Sequence, residues 1–585
     1  MRVFFVFAVF GALLLYSTGI SAPYHLDDQN VIEISQHFGW QTRPFGFGSF
    51  WLNGQILPLA RPLLPWRTVF YYRFGNVMLH AIAATALFWL ICELTRRKDL
   101  AAIGGALFLV HPIQTQAVTY ISQRFESQAA MFMLLSAAAF VRFRRTGLKG
   151  WLAAAIVSGG AAGLTKETAI ILPIWLLFIE LVFFEGAQLR KWMIYMAPLG
   201  IVIAIPAWRV FWGSGKLTLG WIPYDQFALT EGAVLTKYFE LVTWPRRQFL
   251  YYDFQPLAGL TWRAGVDWLL VFAVAALGFY LLRRQRLIGF GILSFFIVLL
   301  PVIVLPVPDL INEHRLYGAF AGVAIAVAGI FQAVNRKWAL PIIGVVVILL
   351  GIKTAMRNAD WNDQIQFMEL HRQAFPHEPQ ILTRLASYYY QAGSVNKALE
   401  LNLEARKYED RTNTYYRQQI HVLTAINLSS LYLAKGNAKA SKTEALRAVA
   451  AKPTERFAWR ALGFAELRLE EYKEAQSAFQ RYADLAPGLD SWTALEVAAT
   501  RAGDTKAAEA AAKLSKADQE KVSQEEARTP VIPQKYNGYA IFVLTMGLVA
   551  AVLWSLWTVW SAIRPYWPSK RPEVIEKSTK FGGEV

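Results

Sequence analysis

Apolar runs of about 20 residues recur through the first 354 positions, and that is the length needed to cross the hydrocarbon core of a bilayer. They fall at 3–20, 69–93, 101–121, 126–141, 151–164, 168–184, 192–212, 267–282, 287–306, 317–334 and 339–354, with one more at 537–560. Backbone inside lipid must satisfy its own hydrogen bonds, so a chain built this way is expected to be all-α, with about 11 spans in its first part. Only 17% of the residues are charged, against about 25% in a soluble globule.

The charge is unevenly spread. The net +17 would suggest nucleic acid if it formed one surface. Instead it sits in Arg96–Lys98, Arg142–Arg145, Arg190 and Lys191, Arg283–Arg286, Arg336 and Lys337, and Lys570 and Arg571. These clusters occupy alternate connections, the pattern of cytoplasmic loops. The excess is therefore a topology signal, with anionic lipid head groups as partners, and nucleic acid is excluded. The first run could also be read as a signal peptide ending near Ser21 and Ala22, with residues 1–22 removed. Either reading leaves residue 25 onward outside. The outer segments are then 23–68, 111–125, 165–167, 213–266, 307–316 and 355–536. The aromatic-rich loop 23–68 and the amphipathic stretch 231–247, with Leu235, Phe239 and Val242 on one face, read as lying on the membrane surface.

Polarity returns at 355 and brings an internal repeat. Ala425, Leu428, Tyr432, Gly436, Ala445 and Ala448 form one register, and Trp459, Leu462, Gly463, Ala475 and Phe479 the next. The step from Ala425 to Trp459 is 34 residues, the tetratricopeptide period. An earlier copy runs from Leu382 to Ala405, set off by an insertion near Thr412–Gln419, and a degraded one includes Trp492, Leu495, Gly503 and Ala508. Stacked helix pairs leave a groove suited to an acceptor protein or peptide. The expected domains are 1–354 in the membrane, 355–515 as external repeats, 516–536 as linker, 537–560 as a last span and 561–585 as a cytoplasmic tail.

The topology places scattered ionisable residues on one membrane face: Asp27 and Asp28, His111, Glu126, Lys166 and Glu167, then Glu313, His314 and Arg315. Charges beside a bilayer are costly and tend to be functional. Solvated span ends are the plain alternative, but so many on one side point to a shared site. An acidic pair offers a general base for a hydroxyl and could also hold a divalent cation. Lysine or arginine nearby would hold a phosphate leaving group. No phosphate-binding loop, dinucleotide glycine fingerprint or zinc set occurs, so a soluble nucleotide-linked donor is not supported. A lipid-linked phosphate donor is.

Several segments also carry a resemblance. Tyr24–Ile32, with Asp27-Asp28, is similar to the acidic motif of C-type glycosyltransferases. His111–Arg124, Leu164–Thr168, Glu313–Tyr317 and Arg357–Asp363 resemble segments of the transmembrane-plus-tetratricopeptide O-mannosyltransferases. His314 is an extra residue relative to that family's Glu-Arg-x-Leu-Tyr element. The resemblance implies a polyprenyl-phosphate sugar as donor, inversion at the anomeric carbon, and Asp27 or Asp28 as base. It implies donor-phosphate or substrate contacts from His111, Arg124, Lys166, Glu167, Glu313, His314 and Arg315. The style of the sequence is bacterial, which with the topology gives an inner-membrane enzyme with periplasmic repeats as the expectation. Two other readings stay open: an oligosaccharide ligase or polymerase using a diphosphate-linked glycan, and a membrane scaffold without catalysis.

Overall fold

A computed structural model describes residues 1–36, 43–60, 68–185, 192–193, 196–200, 203–204, 222–306, 309–334, 336–411 and 414–528. Most of the expected run 192–212, the linker beyond 528, the last span 537–560 and the tail lie outside the described residues. The chain divides into two compact units, Met1–Gln55 with Trp66–Ala527, and Ile56–Pro65 with Arg528–Val585. The first unit carries the apolar helices, the repeats and the candidate site.

The described residues form helices and no strand, as a lipid-solvated chain followed by helical repeats requires. Thr68–Thr95, Trp262–Arg284, Arg286–Val304, Glu313–Ala333 and Leu340–Asp360 are long and apolar enough to cross a membrane. Lys98–Val110 and Pro112–Thr119 together make a sixth, bent by 52°. That is fewer than the eleven runs suggest. Lys149–Thr165 and Leu172–Phe183 have 17 and 12 residues, and Arg2–Tyr16 has 15. The expected span 101–121 breaks at His111-Pro112, because proline disfavours helical geometry in the residue before it.

Small residues decide how closely these helices pack. A Cβ placed on Gly291 would come within 2.5 Å of Gly322 O, and one on Gly322 within 2.5 Å of Gly291 O. Arg286–Val304 and Leu316–Ala333 therefore meet backbone to backbone, the contact that glycine permits between membrane helices. Polar side chains add cross-ties: His80 Nδ1 lies 2.8 Å from Tyr317 Oη and its Nε2 3.1 Å from Leu109 O.

The stretch 231–247 differs from expectation. It belongs to the helix Tyr224–Thr243, whose face of Phe227, Val234, Leu235, Tyr238 and Leu241 is buried in the bundle core. Protein, not lipid, covers that face. The first outer loop forms Asp28–Gln36 and Pro44–Ala60. Phe50 is fully buried and Phe47 packs edge-on against Phe125 at 5.1 Å, whereas Phe45 and Trp51 stay exposed.

Beyond Trp361 the chain forms a short helix, Gln364–Ala374, then four antiparallel pairs. These are Pro379–Gln391 with Val395–Tyr408, Thr414–Ala434 with Ala438–Ala451, Arg456–Arg468 with Tyr472–Leu485, and Leu489–Ala502 with Thr505–Arg528. Ala386, Ala398, Ala405, Ala425, Ala445, Ala448 and Ala475 are wholly buried where paired helices touch. Thr414–Ala434 has 21 residues, against 13 or 14 in the first helices of its neighbours. The insertion near 412–419 is thus absorbed as extra helical turn.

Each pair turns through a residue with positive φ: Gly393 at 80°, Gly436 at 79°, Glu470 at 63° and Gly503 at 77°. The third turn has a glutamate where the others have glycine. A left-handed conformation costs a residue with a Cβ about 1–2 kcal/mol, partly offset by the greater freedom glycine has when unfolded. Glu470→Gly is expected to stabilise the repeats by about 0.5–1 kcal/mol, read as a higher unfolding temperature of the full chain.

Candidate functional site

The junction between the membrane helices and the repeats is a polar hub under an aromatic cap. Arg357, near the end of the helix Arg336–Asp360, donates to Gln248 O at 2.5 Å and to Glu313 Oε2 at 2.9 Å. Glu313 is fully buried. It also accepts from Phe249 N at 2.6 Å, Tyr252 Oη at 2.5 Å and Gln248 Nε2 at 3.2 Å. A buried carboxylate needs such complete satisfaction to stay in place. Thr119 Oγ1 donates to Asn358 Oδ1, and Asn358 Nδ2 to Leu15 O at 3.1 Å. Trp361 is fully buried, with the His25 ring edge-on at 4.9 Å and Phe367 at 4.8 Å. Leu250 N donates to His371 Nε2 at 2.7 Å, while His371 Nδ1 lies 2.7 Å from Phe367 O. That arrangement requires the neutral imidazole. Burial agrees, holding the pKa of His371 down to about 4.

This hub supports one side of a cavity of about 240 Å³. Asp27, Gln116, Tyr120 and Gln123 line its membrane side, together with Tyr251, Asp253, Asp309 and His314. The repeats supply Glu378, Arg384, Tyr416 and Gln419. The last two come from the helix lengthened by the insertion.

The acidic pair divides. Leu26 has φ 42°, a strained left-handed turn for a branched residue, and the two carboxylates after it face different surroundings. Asp27 is exposed and lines the cavity, with Tyr120 Oη 3.3 Å from its Oδ2. Asp28 is fully buried and accepts from His25 N at 3.0 Å and Ser122 N at 2.9 Å. Burial pushes the Asp28 carboxyl up to about 7, opposed by the nearby Arg73 charge and those two amides. Asp28 therefore locks the loop onto the Ile121–Gln123 turn. Of the two aspartates expected as base, only Asp27 opens onto the cavity, because Asp28 is fully buried.

The remaining candidates separate into two sets. Lys166 Nζ lies 2.5 Å from Glu126 Oε2, and Arg43 grips Glu167 through contacts of 2.5 and 2.9 Å. Arg315 donates to Leu310 O at 3.1 Å and lines a smaller cavity with Glu126, Thr168, Val298 and Val302. His314 lines the large cavity, and its N–H donates to Gln116 Oε1 at 2.6 Å. The short helix Glu313–Arg315 thus sends His314 to one cavity and Arg315 to the other.

His111 and Arg124 do not line the cavity and are engaged within the protein. His111 Nδ1 accepts from Ile113 N at 3.2 Å, capping the bend, and its ring packs on Phe320 at 4.4 Å. Arg124 is buried beneath Phe50 and donates to Asn76 Oδ1, Ser49 O, Asn53 Oδ1 and Tyr72 O at 2.6–3.1 Å. Four of its five N–H groups are used inside the protein, where it ties helices together. Among the described residues no group of three or more His, Cys, Asp or Glu side chains could hold a metal ion, so the divalent cation considered for the acidic pair finds no such group there. Sequence reasoning missed Tyr251, Asp253, Asp309, Arg384 and Tyr416. For Tyr416 the break in the 34-residue period was the available signal.

These features define an all-helical integral membrane protein with a cavity walled partly by its repeat domain. Residues 55–213 match the family described as dolichyl-phosphate-mannose-protein mannosyltransferase. The chain is 33% identical over 146 residues to protein O-mannosyl-transferase Tmtc1 of Drosophila melanogaster, covering 24% of this chain and 15% of that one. It is 32% identical over 150 residues to the Xenopus laevis protein O-mannosyl-transferase tmtc2, covering 22% and 18%. The human protein O-mannosyl-transferase TMTC2 is 27% identical over 238 residues, covering 35% and 27%. The matched stretch spans less than a third of each relative's length. His111, Arg124, Lys166 and Glu167 fall within the family match, whereas Asp27, Asp28 and Glu313–Arg315 lie outside it.

Acid should loosen the junction. The folded pKa of His371 is below its unfolded value of 6.5, so its contribution is present above that value and is lost as pH falls toward 4. Asp28, held above its unfolded value, acts in the opposite sense. The test is therefore a difference: between about pH 7 and pH 5, wild type should lose about 2 kcal/mol more than His371→Gln, measured by chemical unfolding.

Proposed function

We propose that this chain is a membrane glycosyltransferase moving a sugar from a polyprenyl-phosphate-linked donor to a hydroxyl of a secreted or surface protein. In this reading it sits in a bacterial inner membrane with its repeats on the periplasmic side. The observation that carries the proposal is Asp27: an exposed carboxylate beside Tyr120, in a cavity that both the membrane helices and the repeats enclose.

The chemistry follows from the placement. An acceptor hydroxyl entering from the repeat side meets Asp27, which takes its proton as the hydroxyl oxygen attacks the anomeric carbon. Tyr120 donates to Oδ2 and leaves Oδ1 to receive that proton. The bond from the anomeric carbon to the phosphate oxygen breaks on the opposite face, with inversion, and polyprenyl phosphate leaves. Charge developing on that phosphate is offset by Arg315, aided by Lys166, whose charge Glu126 partly neutralises. The apolar wall of Val298, Leu299 and Val302 beside Arg315 suits the first isoprene units of the lipid. The likeness of residues 55–213 to mannosyltransferases supports mannose as the sugar. Glu313 acts at a distance by holding Arg357 and the loop at Phe249, and Asp28 by holding Asp27 in position.

The test is sugar transfer from a synthetic polyprenyl-phosphate mannose to a threonine-containing acceptor by the full chain in lipid nanodiscs. Asp27→Asn should lower turnover by about 10²–10⁴-fold while unfolding as wild type does. Asp28→Asn should lower the unfolding midpoint, because an amide cannot accept from both backbone N–H groups and leaves a buried donor unmet, costing about 1–3 kcal/mol. Full activity in Asp27→Asn would overturn the mechanism. Transfer only from diphosphate-linked oligosaccharide would favour a ligase, and no transfer from either donor a scaffold.

A further inference from the structure

The walls of the junction cavity carry negative charge beyond the Asp27 carboxylate that the proposed reaction uses. Asp27, Asp253, Asp309 and Glu378 line it, and Arg384 is the one lysine or arginine among the described lining residues. No lysine or arginine among the described residues lies within ion-pair distance of Asp27, Asp253 or Asp309. Asp253 accepts from Gln255 Nε2 at 2.9 Å, and Asp309 shares the cavity wall with Tyr416. Neither of these neighbours is a cation.

A second observation indicates a ligand. Gln116 is fully buried and lines the same cavity, yet its Nε2 has no hydrogen-bond partner. Its Oε1 is fixed by His314 N, so the amide presents its donors in a set orientation. A buried amide donor left open in this way costs free energy unless something accepts from it. A peptide carbonyl is the acceptor that a polypeptide segment supplies.

We propose that the cavity binds a polypeptide segment carrying lysine or arginine beside the hydroxyl to be modified, an inference that rests on the transferase reading and names its acceptor class. The carbonyl of that segment accepts from Gln116 Nε2. Its cationic side chain lies between Asp253 and Asp309, and its hydroxyl faces Asp27. The same field repels phosphate, which places the donor phosphate on the far side of the Glu313–Arg315 turn, with Arg315 and Lys166. Two carboxylates in a partly enclosed cavity favour a cation over an anion by about tenfold or more at low ionic strength. The insertion in the repeats has a role here too, because it brings Tyr416 into the cavity wall with Asp309.

The test is direct binding, without donor, of fluorescent threonine peptides to the full chain in nanodiscs of neutral lipid. The peptides differ only in flanks of lysine, glutamine or glutamate. The lysine peptide is expected to bind about tenfold tighter than the glutamate peptide, with the difference shrinking at high salt. In Asp253→Asn/Asp309→Asn the preference should disappear, with an unchanged thermal midpoint confirming that the variant folds. Equal binding of all three peptides, or a preference that survives in the double variant, would overturn the proposal. Parallel transfer assays separate the two readings. Transfer without charge preference removes this site and leaves the transferase, whereas preference without transfer removes the transferase and leaves a site for basic segments.

Discussion

The buried ion pair between Glu313 and Arg357 is the constraint on which the outer half of the molecule depends. Its carboxylate is fully buried and its guanidinium nearly so. Neither charge could remain there alone, because desolvating an ion costs more than most local packing can return. The pair therefore requires Phe249, Tyr252 and Gln248 around it. That requirement fixes the loop after Thr243 against the last span of the first part. With the loop in place, Leu250 can reach His371, and the repeats are anchored through backbone as well as side chains.

The cavity is a consequence of that anchoring. Its membrane side comes from four separate stretches around Asp27, Tyr120, Asp253 and Asp309, and its other side from the first two helix pairs. None of these parts encloses a volume alone. The repeats are thus a wall of the site as well as a platform. Their second pair is lengthened at the point where Tyr416 and Gln419 meet the membrane helices. The short helix Glu313–Arg315 then lies between an acidic compartment and a smaller, mostly apolar one that Arg315 and Glu126 line.

Much of this was legible from residue order. The apolar runs dictate helices, the 34-residue step marks paired helices with alanine at their contacts, and the sidedness of the charges collects Asp27, Lys166, Glu313 and Arg315 on one face. Legibility failed where the identity of a residue does not reveal its partner. His111 and Arg124 carry the same chemistry as ligand-binding residues, but a helix bend consumes one and four protein acceptors consume the other. The amphipathic face of Tyr224–Thr243 has the period of an interfacial helix, and period alone does not say whether lipid or protein will cover it.

What the sequence by itself determined is the helical class and the apolar character of the first part, because hydrophobic length and backbone satisfaction leave no other solution in a membrane. It also determined that two adjacent carboxylates would lie outside the first span. Only the tertiary structure decided which of them faces the cavity. That choice follows from the positive φ of Leu26 and from amides at His25 and Ser122 that accommodate a single carboxylate, and Ser122 is distant in sequence. The charge of the cavity was likewise settled by folding, because it sums side chains that share no local pattern and meet only when the repeats dock.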